Sequence, residues 1–151
     1  MPNSSRLRTL RTLVIMNLCL MVLLLLFGLT FDTKGIVRAT TSNVTAGQLV
    51  SALNQAGIAS YLHMGIGIVL GIFSLVNMVL SLRSGIRRVQ VFGTLAFLSI
   101  LAAGIVGLFF VASGFQKTGL LVGLVPLFML AFLAYVLEWF FLRSPVVTRS
   151  D

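Results

Sequence analysis

Four stretches of nearly unbroken apolar sequence, Thr12 to Phe31, Tyr61 to Leu82, Val91 to Phe115 and Gly119 to Leu142, are set apart by short polar segments. A helix rises about 1.5 Å per residue, so each stretch is long enough to cross a hydrocarbon layer about 30 Å thick. None contains Asp, Lys or Arg, and Glu138 is the one acid inside any of them. Apolar residues run all round each predicted helix, as in a membrane span and unlike a soluble amphipathic helix. The pattern predicts an all-α integral membrane protein, a single domain over residues 1–151 built as a four-transmembrane-helix antiparallel bundle.

The connections are unequal. Arg83 to Gln90 reads as a tight basic turn and Gln116 to Thr118 as a minimal one, which makes the second, third and fourth helices antiparallel neighbours. Asp32 to Ser60 is a long external loop between helices 1 and 2. Thr45 followed by Gln48 has capping-box spacing, and Leu49, Leu53 and Ala56 then recur on one face until Gly57. A short amphipathic helix there would lie on the outer surface and roof what lies below. Asn43-Val44-Thr45 matches the glycosylation acceptor pattern on that same face.

Composition agrees with the pattern. Hydrophobic residues make up 58% of the chain and charged residues 9%, against roughly 25% charged in packed soluble domains. A net charge of +8 would point to nucleic acid in a soluble protein, but the distribution of the charges says otherwise. Arg6, Arg8, Arg11, Arg83, Arg87, Arg88, Arg143 and Arg149 all fall on one side of a four-crossing topology, and only Lys34, Arg38 and Lys117 fall on the other. This positive-inside pattern predicts a multi-pass plasma-membrane protein with both termini cytoplasmic. The lipid bilayer is the expected partner, and nucleic acid is not. The first apolar stretch exceeds the 7 to 15 residues of a secretory signal core and is read as a retained helix. Cys19 lies mid-span and reads as a small packing residue.

Few residues in the spans can carry chemistry. His63, the single histidine, opens the second helix. Gly67 and Gly71 follow one and two turns later, Gly65 is nearby, and Ser74 or Met78 continues the face. Two readings fit. A porphyrin ligated by His63 could lie flat on the glycine strip, histidine being the usual axial ligand of haem iron. Alternatively Gly67-x-x-x-Gly71 is a small-residue face for close helix packing, and His63 an interfacial polar residue. Met16, Met64, Met78 and Met129 are candidate second ligands in the first reading and gap-filling residues in the second. Glu138, near Arg143 and Trp139, is expected to pair with basic residues at the inner interface, the functional alternative being a proton-handling carboxylate. Asn17 and Asn77 read as interhelical hydrogen-bonding groups, and Pro126 should kink the fourth helix.

A basic start, a first span ending near Gly28, a long external loop, "YLH" opening the second helix and then "GIRRVQVFGTLAFLSILAAGIVGLFFVASG" together resemble one four-helix half of the haem A synthase family. The resemblance implies a haem cofactor, with His63 matching the histidine that each half carries near the start of its second helix. It also implies a second histidine in the fourth helix and a catalytic acid three residues before the first. The fourth helix has no histidine, and Ser60 occupies the acid's place. The family's oxidation of a haem methyl is therefore not expected of this chain.

Taken together, the residues predict haem binding or handling near the outer leaflet in support of a respiratory oxidase, with His63, Gly67 and Gly71 as the site and His63 as the metal ligand. The competing expectation is a non-catalytic accessory subunit of a larger membrane complex, without a cofactor. Half-size length suggests a homodimer, with Gly67 and Gly71, or Ala103 and Gly107, permitting close contact between chains.

Overall fold

The computed structural model describes residues 4–32, 58–112 and 119–143. They form four helices: α1 (Ser4–Asp32), α2 (Ile58–Leu82), α3 (Arg87–Ala112) and α4 (Gly119–Arg143). All four are long and apolar enough to cross a membrane. The expected amphipathic helix, the Asn43 acceptor site and the Gln116 to Thr118 turn lie outside the described residues.

Three helices begin earlier than the apolar pattern suggests, α2 at Ile58 and the other two among arginines. α1 starts at Ser4 and carries Arg6, Arg8 and Arg11 in its first turns, and α3 starts at Arg87. Arginine is a good helix former, and its aliphatic stem can lie along apolar surface while the guanidinium reaches water. Polarity therefore marks where the apolar stretch ends, and the helix continues past it. The turn between α2 and α3 is correspondingly short. The Arg83 and Ser84 amides donate back to carbonyls of the last turn of α2, Ser84 to Ser81 at 3.0 Å. Gly85 then takes a positive φ of 73°, a left-handed conformation available to glycine without steric cost. The Ile86 amide donates to Ser84 Oγ at 3.2 Å and Gln90 Nε2 to the Leu82 carbonyl at 2.9 Å. α4 runs unbroken through Pro126, whose ring leaves one carbonyl a turn earlier without its helical donor.

Each helix packs against the next, and α1 closes the ring against α4. The helices bury one face each, at steps of four and three residues. On α1 this face is Leu10, Val14, Asn17 and Met21; on α2 it is Leu70, Ser74, Asn77 and Ser81; on α4 it is Ala131, Tyr135, Glu138 and Leu142. α3 contributes Val89, Gly93, Ala96 and Ser99. Such 3-4 spacing keeps one seam pointed at the neighbours in a left-handed bundle. Large apolar residues cover the outside, among them Val122, Leu108 and Phe109. Cys19 is on that exposed face, so it is not the packing residue expected of it.

Candidate functional site

Contacts between neighbouring helices set their register. Gly28 of α1 lies against His63 of α2, and Leu24 against Gly67. Arg11 of α1 donates from Nε to the Leu142 carbonyl of α4 at 3.1 Å, and from Nη2 to the same oxygen. Gly93 of α3 lies against Ser81 and Glu138. In this antiparallel register each step along α1 matches one in the opposite direction along α2 and α4, so the buried residues fall into layers. From the arginine-rich end, Leu10, Val89 and Leu142 share a layer. Val14, Asn77, Ser81, Gly93 and Glu138 form the next, and Asn17, Ser74, Ala96 and Tyr135 the third.

The second and third layers are polar. Glu138 is fully buried. Asn77 Nδ2 donates to Glu138 Oε2 at 2.9 Å, and Ser81 Oγ lies 2.5 Å from Glu138 Oε1. The same Ser81 hydroxyl lies 2.8 Å from the Asn77 backbone carbonyl. A hydroxyl carries one proton and can donate to only one of these oxygens at a time. In the third layer the Tyr135 hydroxyl donates to Ser74 Oγ at 2.8 Å. Asn17 is as deeply buried, yet among the described residues neither its Nδ2 nor its Oδ1 has a hydrogen-bond partner, and Asn77 Oδ1 also lacks one.

Gly93 makes room for this arrangement. A Cβ there would stand 2.7 Å from Ser81 Cβ and 2.9 Å from Glu138 Oε1, closer than packed atoms tolerate. The missing side chain on α3 is the notch into which the carboxyl and hydroxyl fit.

These positions correct the expectation for Glu138. Its partners among the described residues are the neutral Asn77 and Ser81, and the basic residues nearby are engaged elsewhere. The Arg143 guanidinium sits 4.2 Å above the Trp139 ring and that of Arg88 5.2 Å from the Phe141 ring; Arg11 holds the Leu142 carbonyl near the end of α4. Glu138 follows the 3-4 seam inward, whereas Arg143, five positions on, faces out. Asn77 behaves as the expected interhelical group; Asn17 does not.

His63 sits at the opposite end of the same α2 seam, half-buried. Its ring is turned toward α1: a Cβ on Gly28 would lie 3.4 Å from Cε1 and 3.8 Å from Nδ1, and the imidazole makes a backbone hydrogen bond at Leu24. Leu24 Cδ1 also lies 3.9 Å from the Cβ position of Gly67, while nothing lies within 4 Å of that of Gly71. His63 and Gly67 therefore share the α1–α2 seam, and Gly71 is not packed with them. A porphyrin on this histidine needs a ring nitrogen facing an open, flat surface. In this structure the ring lies in the α1–α2 seam, with Leu24 beside Gly67 and open space at Gly65 and Gly71. Met16, Met64 and Met129 are exposed on the outer surface. Gly107 meets Leu124 of α4 at 3.8 Å within the chain.

Tyr135, Gly93 and Ser81 were not singled out in the sequence as site residues. Their signal was present all the same: polar or small residues recurring at 3-4 spacing inside apolar helices. Compared with protein-family models, curated proteins and solved structures, the chain matches none.

Proposed function

We propose that this chain is a multi-pass membrane protein, oriented with its arginine-rich end in the cytoplasm, that acts as a non-catalytic subunit of a larger membrane complex. The observation that carries this reading is where the polar side chains are directed. His63 engages α1, Glu138 engages α2, and the outside is left to apolar residues that suit lipid or a partner's helices. In this reading His63 joins α1 to α2 near the outer leaflet and has no catalytic role. The orientation rests on the arginine distribution.

The competing proposal is haem handling at His63, which rests on the resemblance to the haem A synthase half. It requires the imidazole to leave the α1–α2 seam. One preparation separates the two. Membranes from haem-replete cells are solubilised in mild detergent, and the protein is purified for native size analysis and an absorption spectrum. The subunit reading expects co-migration with a larger complex and no Soret band. A Soret band that vanishes in His63→Ala would establish the haem reading in its place. A colourless chain that runs alone in every mild detergent would overturn both.

A further inference from the structure

The buried polar layers carry an inconsistency that helix packing does not resolve. An amide in hydrocarbon without partners costs free energy, and a carboxyl whose partners are both neutral has nothing to balance its charge when it ionises. The chain places such an amide and such a carboxyl in adjacent layers: Glu138 with Asn77 and Ser81 in one, Asn17 with Ser74 and Tyr135 in the next. Three amide atoms in these layers, Asn17 Oδ1, Asn17 Nδ2 and Asn77 Oδ1, have no partner among the described residues. Apolar residues at position 17 would pack as well at no such cost, as Val14 and Met21 do one turn to either side.

We propose that these two layers form a binding site for one hydrated monovalent cation, held by the Glu138 carboxylate together with the side-chain oxygens of Asn17 and Asn77. Carboxylate, amide and hydroxyl oxygens are hard ligands suited to alkali and alkaline-earth ions and not to soft metals. One carboxylate supplies one negative charge, so a monovalent ion leaves the core neutral, whereas a divalent ion would leave a positive charge buried in lipid. The ion takes up the orphaned oxygens, and a water in its shell accepts from Asn17 Nδ2. Ser81 and the Gly93 notch position the carboxylate, and the Tyr135–Ser74 hydrogen bond borders the site on the side toward His63. The proposal is independent of what the larger complex does.

The test uses the full chain in detergent. Protein is dialysed against sodium, lithium or potassium chloride, or choline chloride at equal ionic strength, then assayed for bound ion by elemental analysis and for thermal unfolding. The expected result is about one ion per chain in at least one alkali salt, with an unfolding midpoint about 5 °C above that in choline. Asn17→Leu and Glu138→Gln should bind no ion and lose the salt-specific shift. Asn17→Leu also removes an orphaned amide, so it should be at least as stable as the parent in choline, which guards against a merely unfolded variant. No ion bound by the folded parent in any of the three alkali salts would overturn the proposal and leave water as the occupant of these layers. Equal binding by Asn17→Leu would also overturn it.

Discussion

The two ends of the bundle are built differently. At the arginine-rich end, from Leu10 to Met21 on α1 and Leu70 to Ser81 on α2, the seam is fully buried and holds Asn17, Ser74, Asn77, Ser81, Tyr135 and Glu138. Toward His63 the same seams continue as Leu24, Gly28, Gly67 and His63, and none of these is fully buried. Several glycines in that half, including Gly65 and Gly123, have nothing within 4 Å of where a Cβ would be. One end is closed by polar contacts that fit only one way, whereas the other has slack among the described residues. In lipid, close fit and hydrogen bonds carry helix association because apolar side chains gain little by leaving the hydrocarbon. The closed end should therefore supply most of the bundle's stability.

The sharpest way to break this contrast is Gly93→Val. Its side chain would enter the space of Ser81 and Glu138, and the cost should reach about 3 kcal/mol, the upper part of the usual overpacking range, read as a lower unfolding midpoint in detergent. Glu138→Ala should cost about 2 kcal/mol, because Asn77 Nδ2 loses its acceptor in a buried site. A double-mutant cycle pairing it with Asn77→Ala should give a coupling of about 0.6 kcal/mol and no more than about 1.7; zero coupling would mean that the 2.9 Å contact does not hold the helices. Tyr135→Phe should cost about 1 kcal/mol by removing the bond to Ser74. At the slack end Gly65→Ala should change stability by only about 0.5 kcal/mol, and in the favourable direction, since alanine is the better helix former and the space is open. If Gly65→Ala proved as harmful as Gly93→Val, the distinction between the two ends would fail.

Four helices long and apolar enough to span a bilayer were legible from the sequence alone, because their lengths and lack of charge leave few other solutions. The helix starts were less legible, since arginines that stay helical beyond the apolar stretch carry no stop signal. The buried faces were harder still. In a soluble protein the apolar residues mark the core, but here they surround every helix, and the mark of the interior is the polar minority. Asn17, Ser74, Asn77, Ser81 and Glu138 lie at 3-4 spacing, which can be read along each helix separately. Reading His63, Gly67 and Gly71 at steps of four instead followed a face that leaves the seam after Gly67, where the buried position is Leu70.

Amino-acid order by itself determined that this chain makes long apolar helices, that its arginines gather at one end, and that few ionisable groups enter the spans. Those are local properties, set by composition and by the length a helix needs to cross oil. Only the tertiary structure decided that Glu138 meets Asn77 and Ser81 instead of an arginine, that Gly93 opens the space for them, and that His63 turns into the α1–α2 seam. Each depends on the relative register of helices that are distant in sequence, and that register is set by side-chain fit across the bundle, which no single segment encodes.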